Sequence, residues 1–369
     1  MSTPLFRKAL ETIPAYKPGK PPTPGAAASY KLSSNENPYP PLPGVIDQAV
    51  GALATMNRYP DMGVAELHAA LAKKYAVSID EVASGAGSVA VFYHLLQASC
   101  EAGDEVVYAW RSFEAYPIAV GLTGARSLTV PVDAEARHDL PAMLTAITER
   151  TKAVVVCTPN NPTGPAVHRD ELVEFLDAVP KSLLVVLDEA YREFVTDPDA
   201  ADGLAVAEGR DNVVVLRTFS KAYGMAGLRV GFAIGPAEIT AAIRKCALPF
   251  GVSTVAQAAA VASLEAEDEL LRRVTAVVAE RERVTAALTR QGWDVPDAQG
   301  NFVWLGLGDD AAAFAGACDA AGVAVRPFQG DGVRITVGEP EANDLLLGVS
   351  QQWRTLRGPS HEVIKTDLQ

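Results

Sequence analysis

Short apolar runs alternate with helical patterns along most of the chain. Five runs are nearly continuous in hydrophobicity and rich in β-branched residues: Glu105–Ala109, Ala153–Cys157, Leu183–Leu187, Val213–Leu216 and Val230–Ile234. Strands buried on both faces of a mostly parallel sheet have this pattern. Helical segments between the runs, such as 169–179 and 235–247, supply the crossovers that parallel strands need. The pattern therefore predicts a layered α/β domain with a mostly parallel central sheet.

The two ends of the chain differ from this central pattern. Residues 1–40 are rich in proline and are typical of an irregular N-terminal arm. From Ser253 to Gln291 the pattern is helical, and it predicts a long helix that leads out of the sheet. Beyond it we expect a strand, a helix and a strand at 301–305, 310–321 and 333–337.

The length fits more than one domain. At roughly 150 residues per domain, 369 residues give two or three domains. We place a large sheet domain at 41–280 and a smaller α+β domain at 281–369. The N-terminal arm at 1–40 is expected to pack with the smaller domain.

Composition and charge argue against several classes of protein. Apolar residues make up 49% of the chain and charged residues 21%, as in soluble globular proteins. The formal net charge of −13 disfavours a nucleic-acid partner, because phosphate backbones are bound by dense Lys and Arg. We find neither an apolar run of about 20 residues nor a signal peptide, and we expect no membrane contact and a cytoplasmic location. The Cys and His residues form no ligand pattern, so no metal site is predicted.

Three consecutive strand-like runs end in polar residues. Asn161 follows the second of the five runs, Asp188 and Tyr191 follow the third, and Lys221 follows the fourth. Ligands bind outside the carboxyl ends of parallel strands, so we expect these side chains to share one site. Arg229, a nearby cation, would favour the uncharged amine of Lys221. That amine can form a Schiff base with a carbonyl.

A glycine-rich turn, Gly85–Ser88, precedes an amphipathic segment. Backbone N–H groups at such a helix start bind phosphate. The stretch 85–90 also matches a dinucleotide-binding pattern, which needs an acid at the end of the next strand. That strand ends in Trp110 and Arg111, so a phosphate-binding helix is favoured over a nicotinamide site.

As a set, the motifs of this chain resemble those of the fold-type I aminotransferases, which use pyridoxal 5′-phosphate (PLP). The similar branch is that of the histidinol-phosphate and aromatic amino acid aminotransferases. The motifs are, in order, SSNENP (33–38), RYPD (58–61), NNPTG (160–164), DEAY (188–191), SKAYGMAGLR (220–229) and VRITVG (333–338). The resemblance covers nearly the whole chain. It implies an aspartate aminotransferase-like fold, with a three-layer PLP-binding α/β domain, a smaller α+β domain and an N-terminal arm.

The resemblance also implies roles at the cofactor. Lys221 would bind PLP through its amine and then move a proton as general base and acid. Asp188 would pair with the pyridine nitrogen, while Tyr191 and Asn161 would hydrogen-bond the 3-oxygen of the ring. Further cofactor contacts are implied for Ala86, Gly87, Ser88, Phe113, Thr218, Ser220 and Arg229.

At the substrate end, the resemblance implies that Arg334 binds a carboxylate bidentately, with Arg326 as a second cation. Asn35 would contact the same carboxylate, and Tyr16 would lie near the substrate. Tyr59 would reach the PLP phosphate of the neighbouring subunit, which implies a homodimer with composite active sites.

The expected reaction moves an amino group from an amino acid to the cofactor and then to a 2-oxo acid such as 2-oxoglutarate. The stretch WRSFEAYP (110–117) and the arm around Tyr16 favour phenylalanine or tyrosine as the donor. Histidinol phosphate remains the alternative, because its phosphate can replace the carboxylate at the same arginines. A lyase or decarboxylase would use the same motifs. A non-catalytic PLP-binding regulator is disfavoured, because such proteins carry an added DNA-binding module and this chain has no basic segment.

Overall fold

The computed structural model describes residues 6–21 and 29–357. Parts of the predicted arm (1–5 and 22–28) and the end of the predicted small domain (358–369) lie outside the described residues. The helices are α1 (Val45–Leu53), α2 (Ala65–Tyr75), α3 (Ser88–Ser99), α4 (Ala115–Thr123), α5 (Leu140–Thr145), α6 (Arg169–Ala178), α7 (Gly203–Ala207), α8 (Ala237–Cys246), α9 (Thr254–Glu265), α10 (Glu267–Arg290), α11 (Ala311–Ala320) and α12 (Pro340–Arg357).

The strands are β1 (Tyr30–Lys31), β2 (Val82–Gly85), β3 (Glu105–Trp110), β4 (Arg126–Pro131), β5 (Thr151–Cys157), β6 (Leu184–Asp188), β7 (Val213–Thr218), β8 (Gly231–Ile234), β9 (Phe302–Gly306), β10 (Val323–Ala324), β11 (Arg326–Phe328) and β12 (Gly332–Thr336). Short 3-10 helices lie at Lys8–Glu11, Ile79–Glu81, Arg192–Phe194, Ala226–Leu228 and Gly308–Asp310.

Seven strands form the central sheet in the order β2-β8-β7-β6-β5-β3-β4. The five strands from β7 to β4 are parallel, whereas β8 is antiparallel to both of its neighbours. The prediction of a mostly parallel sheet is confirmed, and all five predicted runs fall on its strands. Strand β4 was not predicted from the sequence. This strand lies at the sheet edge, and within it only Val130 is buried, so it lacks a continuous apolar run.

Helices cover both faces of the central sheet and make three layers. Alternate residues of a strand point to opposite faces. Accordingly, Val106 packs with residues of α3, α4 and α8, whereas Val107 packs with residues of α5 and α6. Both valines are fully buried, and burial of each such side chain stabilises the fold by about 1.5–3 kcal/mol. The predicted crossovers at 169–179 and 235–247 correspond to α6 and α8.

A smaller antiparallel sheet has the order β11-β12-β9. Helices α11 and α12 share its core through Phe314 and Leu346. The N-terminal segment joins this unit, because β1 pairs with β10 and Leu32 packs in the same core. The predicted order of strand, helix and strand is thus present as β9, α11 and β12. The boundaries 41–280 and 281–369 stay a prediction, and α10 runs through residue 280.

The predicted helical stretch from Ser253 to Gln291 is divided into α9 and α10, which meet at Ala266. Within residues 6–21 and 29–357, we find no helix with the length and hydropathy that a membrane crossing requires. The same residues include no group of three or more His, Cys, Asp or Glu side chains placed to hold a metal ion.

Candidate active site

A cavity of about 380 Å³ opens at the carboxyl ends of β5, β6 and β7. Asn161, Asp188 and Lys221 follow or end these three strands and line the cavity, as expected from the strand order. Arg326 and Arg334 reach it from the smaller sheet. The predicted site residues that line this cavity are Tyr16, Ser88, Phe113, Asn161, Asp188, Tyr191, Thr218, Ser220, Lys221, Arg229, Arg326 and Arg334.

The amine of Lys221 is held by backbone carbonyls. Its Nζ donates to Ser34 O at 3.1 Å and to Asn35 O at 3.3 Å. The same atom lies 5.7 Å from the centre of the Tyr191 ring. Burial, and next the positive charge of Arg334, lower the pKa of Lys221 to about 7. A substantial fraction of the amine is therefore uncharged near neutral pH, which is the form that attacks a carbonyl.

Asp188 ends β6 and is buried beside the cavity. Tyr116 of α4 donates from its Oη to Asp188 Oδ2 at 2.6 Å. The other carboxylate oxygen, Oδ1, is buried and has no hydrogen-bond partner among the described residues. Burial raises the pKa of Asp188 to about 6. A buried oxygen without a donor needs an explanation, and a ligand N–H, such as that of a protonated pyridine ring, supplies one.

Tyr191 and Asn161 can each offer a donor to a ligand oxygen. Asn35 Nδ2 donates to Tyr191 Oη at 3.0 Å, so the hydroxyl proton of Tyr191 can point to a ligand. Asn161 Oδ1 accepts from Arg334 Nη1 at 2.6 Å, so its Nδ2 can do the same. Burial raises the pKa of Tyr191, and the phenol therefore keeps its proton.

Asn35 bonds other side chains of the protein, and its predicted contact with the substrate carboxylate stays a prediction. Its side chain is fully buried and is absent from the cavity lining. Its Oδ1 accepts from Thr336 Oγ1 at 3.0 Å, while its Nδ2 is bonded to Tyr191. The side chain of Asn35 thus holds the hydroxyl of Tyr191, while its backbone carbonyl accepts from Lys221 Nζ.

Arg229 and the start of α3 form one end of the cavity. Gly87 has a φ of +88°, and a Cβ added there would lie 2.5 Å from Arg229 Nη2. Arg229 Nη1 donates to Ser220 Oγ at 3.3 Å, and Nη2 donates to Ala86 O at 3.5 Å. A guanidinium beside a helix N-terminus and several hydroxyl groups suits a phosphate. The hydroxyl groups that line the cavity here belong to Ser88, Thr218 and Ser220.

Arg334 and Arg326 differ in their partners. The partners of Arg334 in the described part of the chain are neutral, namely Asn161 Oδ1 and, at 2.9 Å, Ser33 O. Its buried Nε has no partner there. Arg326 instead pairs with Glu114 at 2.5 Å. Arg334 is therefore the cation whose charge is available to a substrate carboxylate.

Aromatic rings surround this substrate end. Tyr16 of the N-terminal arm packs edge-on against Phe113, with ring centroids 6.5 Å apart. Phe113 packs edge-on against Tyr116 at 5.6 Å. The guanidinium of Arg326 lies 5.6 Å from the centre of the Phe328 ring. The cofactor contact implied for Phe113 stays a prediction.

Tyr59 lies outside this cavity. Its side chain is 80% exposed and stacks on Phe250, with ring centroids 4.5 Å apart. It is not among the residues that line the cavity of its own chain. This placement agrees with the prediction that Tyr59 serves a neighbouring subunit.

Tyr116, Glu114 and Phe328 belong to the site but were not predicted from the sequence. Tyr116 bonds Asp188, 72 positions along the chain, and Glu114 bonds Arg326, 212 positions away. Tyr116 and Glu114 belong to the aromatic stretch 110–117. A motif does not reveal which distant side chain it will face.

The chain belongs to the class I and II aminotransferases, whose family model matches residues 29–349. The predictions of the family, of PLP as its cofactor and of the aspartate aminotransferase-like fold are thereby confirmed. The site fits this cofactor, because Asp188 Oδ1 lacks a donor and the surroundings of Gly87 and Arg229 suit a phosphate.

The names of similar proteins specify a substrate class. The chain is 58% identical over 353 residues to the aromatic amino acid aminotransferase of Streptomyces avermitilis, covering 96% of this chain and 98% of that protein. The protein of the same name from Thermobifida fusca is 56% identical over 350 residues, covering 95% and 97%. Among solved structures, the histidinol-phosphate aminotransferase of Sinorhizobium meliloti in complex with PLP matches with a TM-score of 0.86 and 27% identity, covering 96% and 99%.

Proposed function

We propose that this aminotransferase takes the amino group of an aromatic L-amino acid, phenylalanine or tyrosine, and passes it to a 2-oxo acid such as 2-oxoglutarate. The observation that carries this proposal is the substrate end of the cavity. Arg334, whose partners are neutral, lies in the same cavity wall as the rings of Tyr16, Phe113 and Phe328. A donor bound by its carboxylate would bring its side chain among these rings. The names of relatives at 49–58% identity support the same substrate class.

The residues of the chain divide the work of the reaction. When bound, PLP supplies a ring that accepts the electron pair released at the substrate Cα. Asp188 would accept the N–H of that ring on Oδ1, while Tyr116 donates to its other oxygen. Lys221 in its uncharged form would remove the proton from the substrate Cα and deliver it to C4′ of the cofactor. Arg334 fixes the substrate by its carboxylate, which orients the Cα–H bond.

The test compares amino donors one at a time on the purified protein with PLP. We expect L-phenylalanine and L-tyrosine to change the cofactor absorbance at least about tenfold faster than histidinol phosphate at equal concentration. Detection of the matching 2-oxo acid separates transfer from lyase or decarboxylase chemistry. Lys221→Ala is the control, because it lacks the amine and should not react. A preference for histidinol phosphate would contradict the proposal and support the alternative, which the likeness to a histidinol-phosphate aminotransferase favours.

We also propose that the protein is a homodimer with composite active sites. An apolar face of α1 and the loop after it is exposed, with side-chain exposures of 43–75% at Ile46, Val50, Leu53, Met56 and Met62. Beside it, an apolar groove of about 320 Å³ is lined by α1 and by the segment that follows Lys221. A second copy of the chain would cover this face, and its Tyr59 would then reach the neighbouring site.

Two measurements test the dimer. Sedimentation should give about twice the chain mass of 38.9 kDa. The variants Lys221→Ala and Tyr59→Ala should each have little activity when expressed alone. When they are coexpressed, about half of the dimers contain one chain of each variant, and each such dimer holds one intact site, so activity should recover. A monomer, or an absence of recovery in mixed dimers, would contradict the composite site.

We further propose a cytoplasmic location and small-molecule partners alone. The four cysteines are all free, and three of them are buried, which suits a reducing compartment. The net charge of −13 supports the absence of a nucleic-acid partner. Fractionation of cells that express the protein would test the location.

A further inference from the structure

Glu114 and Arg326 form an ion pair in the wall of the active-site cavity. Their side chains approach to 2.5 Å and are 32% and 11% exposed, respectively. Both residues line the cavity. Arg326 also donates to the carbonyls of Lys17 and, at 2.9 Å, Pro18 in the N-terminal arm. The guanidinium is therefore held in place, and its charge is compensated by a carboxylate of the protein itself.

Arg326 and Arg334 lie side by side on neighbouring strands. They are directly opposite each other in the antiparallel pair of β11 and β12, so their side chains project from the same face of the sheet. A substrate whose carboxylate is bound by Arg334 could therefore reach Arg326 with a second acidic group. Glu114 already occupies the position that such a group needs.

We propose that Glu114 is a specificity-determining residue, which competes with a second substrate carboxylate for Arg326. This inference rests on the proposed function. An aromatic donor carries one carboxylate, which Arg334 binds, and its ring gains contact with Phe113, Tyr16 or Phe328 while the ion pair stays closed. L-Glutamate, or 2-oxoglutarate as acceptor, has to displace Glu114 from Arg326. The pair thus lowers the affinity for dicarboxylates and leaves that for aromatic donors unchanged.

The experiment measures single half-reactions of the PLP-loaded enzyme with L-phenylalanine and with L-glutamate. In Glu114→Gln we expect the efficiency for L-glutamate relative to L-phenylalanine to rise about tenfold, because the competing charge is gone. The KM for 2-oxoglutarate should fall by a similar factor. Glu171→Gln is the matched control, since Glu171 also forms an ion pair with an arginine, Arg137, at 2.8 Å but does not line the cavity. This control should leave the ratio within about twofold of the wild type.

A second variant tests whether the effect passes through Arg326. The double variant Glu114→Gln/Arg326→Gln should lose the gain for L-glutamate, because the cation that would bind its side chain is absent. An unchanged ratio in Glu114→Gln, or an equal gain in the double variant, would overturn the inference. If both donors slow equally in Glu114→Gln, the pair is merely structural and the inference also fails. Failure of the wild type to react with L-phenylalanine would instead contradict the proposed function.

Discussion

Replacement of Asp188 by asparagine should stabilise the cofactor-free protein in a pH-dependent way. Burial raises the pKa of Asp188 from 3.8 to about 6. A difference of about two units, at 1.36 kcal/mol for each unit, corresponds to about 3 kcal/mol. Because the folded-state pKa lies above the unfolded value, this cost is absent below pH 3.8 and complete above pH 6. Asp188→Asn keeps the shape of the side chain and removes the charge.

The assay is urea unfolding of cofactor-free wild type and Asp188→Asn at a fixed protein concentration, at several pH values from 4 to 8. We expect the free energy of unfolding of the variant to exceed that of the wild type increasingly between pH 4 and 6. The difference should then level off at up to about 3 kcal/mol. In the same variant PLP binding should weaken, because a neutral amide cannot pair with a protonated ring nitrogen.

Glu280→Gln provides a control of opposite sign. The hydrogen bond from Arg283 lowers the pKa of Glu280, which lies on α10 away from the cavity. Its contribution to stability is present above the unfolded pKa and is lost as the pH falls, so the wild type should exceed this variant most at neutral pH. A stability difference for Asp188→Asn that is independent of pH, or that favours the wild type as the pH rises, would refute the conclusion that burial raises the pKa of the Asp188 carboxyl.

Three further predictions concern binding and rate. Gly87→Ala should weaken PLP binding about tenfold or more, because the added Cβ would clash with Arg229 and the φ of +88° is unfavourable for alanine. An absorbance titration with PLP measures this binding. Arg334→Lys should raise the KM for L-phenylalanine about tenfold with a smaller effect on kcat, as an ammonium cannot bind bidentately. Tyr116→Phe should move the acid limb of the pH–kcat profile to higher pH, because the hydrogen bond from Tyr116 lowers the pKa of Asp188 in the wild type and its loss raises that pKa. A titration, KM or profile equal to that of the wild type would contradict the respective prediction.

The parallel part of the sheet could be predicted because its strands are buried on both faces. The runs that became β5, β6 and β7 are short, rich in β-branched residues and apolar at nearly every position, which favours a buried strand over a buried helix. The edge strand β4 was missed because Arg126, Thr129 and Pro131 are exposed and interrupt the apolar signal. Prediction from pattern therefore follows burial and weakens at the sheet edge.

The candidate site could be predicted as far as local motifs and strand order determine it. Lys221, Asp188 and Asn161 follow from their places after neighbouring parallel strands. The partners of these groups could not be predicted, because they depend on how distant elements pack. The amide of Asn35 bonds Tyr191 across 156 positions, and nothing in SSNENP distinguishes this contact from one with a substrate.

The contacts of Arg334 also set the order in which the cavity can be built during translation. Its guanidinium bonds Asn161, made 173 positions earlier, and Ser33, made 301 positions earlier. At about 5–20 residues per second, roughly 10–35 s separate the synthesis of Asn161 from that of Arg334. A nascent chain can thus form much of its central sheet and present Lys221 before the substrate end exists. The site becomes complete only when β12 has emerged from the ribosome and closed against the N-terminal segment.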